Sequence, residues 1–179
     1  YFVFPRGFLR EPLSGISRAD VIIFTKTNSD NPDKLKIKSC VLKYINSSQQ
    51  LVLESSLISR LMLFNNNQNV FEDASKVEGA ALCFSGIARP RLFIKAAEQF
   101  CSNIIKIVSF KDHHQYKKTH IQQLKNIINN QPIKTIITTK KDFWKIKDYF
   151  TGCKIFIIDI QHQIYNSDKF IKLLNNYSS

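Results

Sequence analysis

Ala80-Ala81-Leu82-Cys83-Phe84-Ser85-Gly86 is the stretch on which the reading of the fold turns. Five apolar residues run into a serine-glycine turn, and a helical pattern over residues 90–101 follows, with Pro90 at its start. A β-branched run over residues 104–110 comes next, so the segment reads as strand, helix, strand. The alternation continues with a helix over 119–130, a strand over 135–139, a helix over 141–150, a strand over 154–160 and a closing helix over 167–177. Four strands, each followed by a helix, predict an α/β fold with a doubly wound parallel sheet. Ile104-Ile105-Lys106-Ile107-Val108 is nearly all apolar, as expected of a strand with helices over both faces.

Upstream the pattern changes. After a strand over 21–24, Asn28-Ser29-Asp30-Asn31-Pro32-Asp33 is a dense turn and helix-start signal. Residues 35–45 and 50–54, separated by Asn46-Ser47-Ser48-Gln49, read as the two strands of a hairpin, and Asn65-Asn66-Asn67-Gln68-Asn69 is a second polar break. The expected division is residues 1–34 as the end of one domain, 35–74 as an extended two-stranded connector, and 75–179 as an α/β domain. No internal repeat occurs. Tyr1 stands where an initiator Met would, and the expectation is that the chain starts inside a larger protein.

Composition narrows the class. Hydrophobic residues at 44% exclude intrinsic disorder as the main state, and the apolar runs over 21–24 and 155–158 are far shorter than the roughly 20 residues of a membrane-spanning helix. Cys40, Cys83, Cys101 and Cys153 stand apart in apolar contexts with no Cys-x-x-Cys pair, which reads as small buried hydrophobes in a reducing compartment. The net charge of +12 is spread along the chain: nine basic against five acidic residues in 1–60, eight against five in 61–120, and nine against four in 121–179. That distribution argues against a basic arm and for a cationic surface suited to phosphates, acidic lipid or nucleic acid, or simply for solvated lysines.

Chemistry concentrates at the strand-to-helix junctions, where parallel sheets form their sites. Phe110-Lys111-Asp112-His113-His114-Gln115-Tyr116 places two histidines beside a carboxylate that can orient an imidazole; the alternative is a capping Asp112 with surface histidines. Asp-His-His also occurs in manganese phosphoesterases, but the further Asp-rich clusters that two metals require are missing from this sequence. Phe84-Ser85-Gly86-Ile87-Ala88-Arg89-Pro90-Arg91 sets a glycine turn and flanking arginines at a helix start, a candidate anion-binding turn at Gly86 and Arg89. Pro5-Arg6-Gly7-Phe8-Leu9-Arg10-Glu11-Pro12 holds Arg10 and Glu11 between prolines, for phosphate and Mg²⁺ or for a surface ion pair. In Thr138-Thr139-Lys140-Lys141-Asp142, Thr139 reads as an N-cap and Asp142 suits the first turn.

Taken in this order, Leu9-Arg10-Glu11-Pro12 with Arg18-Ala19-Asp20, Phe84-Ser85-Gly86-Ile87-Ala88 with Pro90 and Phe93, Phe110-Lys111-Asp112-His113-His114 with Tyr116, and Thr138-Thr139 with Lys141-Asp142 resemble the carboxy-terminal half of the tetraacyldisaccharide 4'-kinases, the lipid A 4'-kinases of Gram-negative bacteria. The resemblance covers essentially the whole chain. It implies a P-loop kinase domain and a smaller α/β domain joined by a two-stranded linker. It also implies transfer of the ATP γ-phosphoryl group to the 4'-hydroxyl of tetraacyldisaccharide 1-phosphate with Mg²⁺, at the cytoplasmic face of the inner membrane.

The resemblance makes His113 catalytic with Asp112 beside it, paired with an aspartate outside these residues, and turns Arg10 and Glu11 toward phosphate and metal. The lipid A precursor, an amino-terminal P-loop domain and the membrane surface are the implied partners, and nucleic acid is not. A basic nucleic-acid-binding module and a metal phosphoesterase are the rival readings. The chain departs from the family at Phe8, where proline is usual, and at Lys140, where glutamate is usual. It contains no Gly-x-x-x-x-Gly-Lys-Ser/Thr loop, so the expectation is an inactive polypeptide without a phosphate-binding partner segment.

Overall fold

The computed structural model describes residues 2–7, 9–27, 33–46 and 48–177, the last without its side chain. Phe8, the turn residues 28–32 and Ser47 of the sequence reading lie outside the described residues. The chain divides into two compact units, Ser59–Gln161 and Tyr1–Ile58 with His162–Ser179.

In the Ser59–Gln161 unit the predicted alternation is realised as β4 (Ala81–Ser85), α2 (Pro90–Phe100), β5 (Ile104–Ser109), α3 (Lys118–Asn129), β6 (Thr135–Thr139), α4 (Lys140–Ile146) with a 3-10 turn Lys147–Tyr149, and β7 (Lys154–Ile164). The strands are parallel in the order β7-β6-β4-β5. β4 and β6 are buried along their whole length, as central strands of a sheet with two covered faces must be. Their side chains alternate between two cores. Leu82, Phe84 and Ile136 point to the layer of Ile121, Leu124, Phe143 and Ile146 from α3 and α4. Ala81, Cys83 and Ile137 point to Phe93, Ala96 and Ala97 of α2. In α2 those three positions are i, i+3 and i+4, the spacing that gathers one face of a helix.

β5 differs from the expectation. It is an edge strand of the sheet, and Ile105 and Ile107 stand 40% and 38% exposed. An apolar run therefore did not mark a strand covered on both faces here. The four cysteines are free: Cys83 and Cys101 are buried, and Cys40 and Cys153 half-buried. Burial pushes the Cys83 thiol up to about 12, with Cys101 and Glu98 adding to the rise.

The expected hairpin is placed elsewhere. Residues 35–45 do not form its first strand: Lys34–Leu42 is helix α1, with Ile37 N–H on the Asp33 carbonyl at 2.9 Å. Alternating lysines gave the segment a period of two, but Ile37, Cys40 and Val41 share a helical face and line one apolar cavity with Leu9 and Leu13. The antiparallel pair is β2 (Leu51–Asn65) with β3 (Val70–Ala74), in register Leu61↔Ala74 to Asn65↔Val70. Its turn is the second polar break, where Asn65 Oδ1 accepts the N–H groups of Asn67 and Gln68 at 3.0 and 3.3 Å and Asn69 takes φ +56°.

In the other unit β1 (Val21–Phe24) runs parallel to the start of β2, register Val21↔Leu51 to Phe24↔Glu54. Gln50 is buried and bridges the chain there, donating to the carbonyls of Ile16 and Ala19 and accepting Asn46 N–H. The closing helix α5 (Ser167–Tyr177) belongs to this unit, whereas the expected limits placed it in the 75–179 domain. Among the described residues no helix is long and apolar enough to cross a membrane.

Phe143 is fully buried and meets Phe64, Phe71 and Trp144 at ring separations of 4.5, 5.2 and 5.1 Å. Phe143→Ala should cost about 3–5 kcal/mol of unfolding free energy through the cavity it leaves. Urea titration followed by far-ultraviolet circular dichroism measures this as a lower midpoint with an unchanged slope.

Candidate functional site

The strand order reverses between β4 and β6, and in doubly wound sheets that switch point opens the crevice where ligands bind, at the carboxyl ends of the strands. Here the crevice floor is built around one side chain. Asp142 is fully buried. Its Oδ2 accepts the Gly86 N–H at 2.7 Å from the end of β4 and the Thr139 hydroxyl at 2.8 Å from the end of β6. Thr139 in return accepts the Asp142 N–H at 3.1 Å, the N-cap expected of it. A buried carboxylate is tolerable only with such compensation. Thr138 adds a hydroxyl bond to the Phe84 carbonyl at 2.9 Å, lacing the same strand ends together.

At Gly86, expected in an anion-binding turn, the N–H is taken by the Asp142 carboxyl and the residue is buried. A Cβ at Gly86 would lie 2.9 Å from His114 Cβ, 3.2 Å from Asp142 Oδ1 and 3.4 Å from the Lys111 carbonyl. Arg89 sits at the start of α2, exposed, with no side-chain cap bond.

The loop over residues 110–116 lies on this floor. Its two histidines have opposite environments. His113 takes φ +56° and is 82% exposed at the side chain; its N–H donates to Asp112 Oδ1 at 2.9 Å and its Nε2 is 3.8 Å from Asp112 Oδ2. Lys141 Nζ from α4 reaches Asp112 Oδ1 at 3.4 Å. Desolvation alone would raise the Asp112 pKa, but the His113 N–H, the His113 ring and Lys141 outweigh it and hold the carboxyl below its usual range.

His114 turns inward. It stacks on Phe110 at 4.4 Å, meets Tyr116 edge-on at 4.9 Å, and places Nε2 3.2 Å from His120 Nδ1. His120 Nδ1 also accepts the Lys117 N–H at 3.2 Å, so that nitrogen carries no proton and His114 Nε2 must be the donor of the pair. Burial, then the neighbouring His120, lower the His114 pKa. Lys145 Nζ of α4 holds the His114 carbonyl at 2.8 Å. Lys140, where the resemblance led one to expect an acid, lies over the Phe71 ring at 5.6 Å.

Arg10 and Glu11 belong to the other unit. Glu11 Oε2 pairs with Arg18 at 2.9 Å rather than with its neighbour, and both side chains are exposed. Arg10 is exposed and forms no ion pair among the described residues. Among the described residues no group of three or more His, Cys, Asp or Glu converges as a metal site. Sequence reasoning singled out His113 and Asp112, and the N-cap it expected at Thr139 is present. It missed the Tyr116, His114 and His120 cluster and the long-range bond from Asp142 to Gly86, whose only local signal was an acid three residues after a threonine.

A family model described as tetraacyldisaccharide-1-P 4'-kinase matches residues 1–179. Similar proteins include the tetraacyldisaccharide 4'-kinases of Halothermothrix orenii, 28% identical over 97% of this chain and 49% of the relative, and of Flavobacterium psychrophilum, 30% identical over 98% and 50%. The chain spans about half the length of the curated relatives it matches. A crystal structure of LpxK from Aquifex aeolicus in complex with ATP matches in fold with a TM-score of 0.58 at 20% identity, over 97% of this chain and 47% of that one.

Gly86→Ala should destabilise the unit by about 1–3 kcal/mol, because the Cβ of His114 and the buried carboxylate have no room to retreat; thermal unfolding measures it. The lowered His114 pKa carries a pH dependence. Above the ordinary imidazole value of 6.5 both folded and unfolded chains hold the ring neutral. As pH falls below it the unfolded chain takes the proton first, so stability present at neutral pH is lost toward and through the folded pKa. Proton NMR should therefore find His114 titrating below 6.5, and denaturation midpoints should fall between about pH 7.5 and about pH 5.5.

Proposed function

The chain belongs to the tetraacyldisaccharide-1-P 4'-kinase family, and from that membership we propose that it supplies the carboxy-terminal part of a lipid kinase. The reaction is transfer of the γ-phosphoryl group of ATP to the 4'-hydroxyl of tetraacyldisaccharide 1-phosphate. The observation that carries the reading is the family match over the full chain, together with an exposed imidazole held at the carboxyl end of a parallel sheet. The relatives named above are kinases, and they lend no support to a nucleic-acid module or a metal phosphoesterase.

In this reading the acceptor oxygen attacks the γ-phosphorus, the bond to the β,γ-bridging oxygen breaks, and His113 takes the acceptor's proton. Three local features support the assignment. The side chain stands clear of the surface, Asp112 is within 3.8 Å to stabilise the imidazolium, and the carboxyl stays ionised because His113 and Lys141 favour its charge. Phosphoryl transfer depends chiefly on positioning and charge neutralisation, and Arg10, an exposed cation of the other unit, is assigned a phosphate-binding role in the same reading.

The residues present fit Mg²⁺ as a shared ion. Magnesium is commonly held by one or two carboxylates plus substrate phosphates, and Glu11 offers an exposed carboxylate with only Oε2 engaged by Arg18. Bound there, the ion would neutralise phosphate charge. We place the protein at the cytoplasmic face of the inner membrane, where its net charge of +12 favours an anionic surface at about 1 kcal/mol per nearby basic residue.

In a kinase preparation that includes a phosphate-binding loop, His113→Ala should lower kcat by about 100-fold or more. Transfer of label from γ-labelled ATP to tetraacyldisaccharide 1-phosphate measures it, and unchanged turnover defeats the assignment of His113.

A further inference from the structure

Resting on the kinase reading of His113, we propose that Asp142 is the positioning residue that holds the 110–116 loop, and with it His113, over the carboxyl ends of β4 and β6, with Tyr116 as its contact inside the loop. Three consecutive features of α4 bear on that loop. Lys141 reaches Asp112, Lys145 reaches the His114 carbonyl, and Asp142 between them faces inward. The two lysine contacts are partly exposed, so water competes for them. Asp142 is the anchor that water does not reach.

Its two oxygens divide the work. Oδ2 is committed to Gly86 and Thr139. Oδ1 is buried without a hydrogen bond, and the only other buried side-chain polar atom in that condition among the described residues is the Tyr116 hydroxyl. The two bear on one another: burial raises the Tyr116 pKa and the Asp142 carboxylate raises it further. The phenol therefore keeps its proton, and the Asp142 carboxyl is the acceptor that acts on it.

Tyr116 transmits the position to the rest of the loop. Its ring packs against Phe84 of β4 at 5.9 Å, Phe110 at 5.2 Å and His114 at 4.9 Å. That ties Phe110 and His114, on either side of His113, to the Tyr116 ring and through it to β4. His113 itself has φ +56°, a left-handed backbone that a non-glycine residue keeps only when its surroundings enforce it. Asp142 has no path to substrate in this arrangement; it acts through the loop.

The test uses the chain labelled for NMR, unaltered and as Asp142→Asn, Tyr116→Phe and Thr139→Ser. Asp142→Asn removes the charge and replaces one acceptor oxygen with a donor NH2, and Tyr116→Phe keeps the ring while deleting the oxygen. In both, amide exchange over residues 113–116 should quicken by about tenfold or more as the loop opens locally. The His113 and His114 ring resonances should move toward free-histidine positions, while His162 in the other unit stays put as an internal reference. Thr139→Ser keeps its hydroxyl and should match the unaltered chain.

In the assembled kinase, Asp142→Asn should lower kcat by about tenfold or more with the KM for ATP held within about twofold. Unchanged exchange and ring shifts in both variants overturn the proposal, as does loss of resonance dispersion across the whole chain in both, which would make the pair a support of the fold and not of the loop. A raised KM with kcat kept also counts against it. Normal turnover of His113→Ala would remove the catalytic reading while leaving the NMR result intact, so the two fail separately.

Discussion

A carboxylate sealed inside a protein must be repaid in hydrogen bonds, and the repayment of Asp142 organises the functional end of this sheet. Gly86 and Thr139 close on it from the two strands that flank the switch point, and the start of α4 is capped in the same exchange. The crevice that a doubly wound sheet usually leaves for a ligand is thus floored by the chain's own anion. The Gly86 N–H is spent on that bond, and the 110–116 loop lies above it.

That arrangement gives the adjacent histidines separate chemistries. His114 is packed among aromatic rings, and burial and the neighbouring His120 lower its pKa. His113, one residue away, projects outward beside an ionised Asp112. The backbone between them is left-handed at His113, with φ +56°. Lysines 141 and 145 pin the loop's edges, so part of the positive charge on α4 serves local structure. The rest remains on the surface, as an even distribution along the chain requires.

The reading from sequence succeeded where the pattern is local and repeated. The strands at β4 and β6, the helix faces of α2 and α3, the start of α2 at Pro90 and the cap at Thr139 all follow from periodicity and end signals. It failed over residues 35–45, where lysines at every second position imitate a strand, although the apolar residues at 37, 40 and 41 belong to a helix face. It also failed at β5, whose isoleucines mark an edge and not a covered strand. Strand order is a property of the assembled sheet, and no single strand's composition states it.

The sequence by itself determined the α/β alternation and the family, because each is written within a dozen residues or in the order of short motifs. Only the tertiary structure decided that Gly86 answers to a residue 56 positions away, that Glu11 pairs with Arg18, and that His113 points out while His114 points in. Those choices are made by burial: once the sheet forms, each polar atom at its rim must find a partner among neighbours the chain order does not reveal.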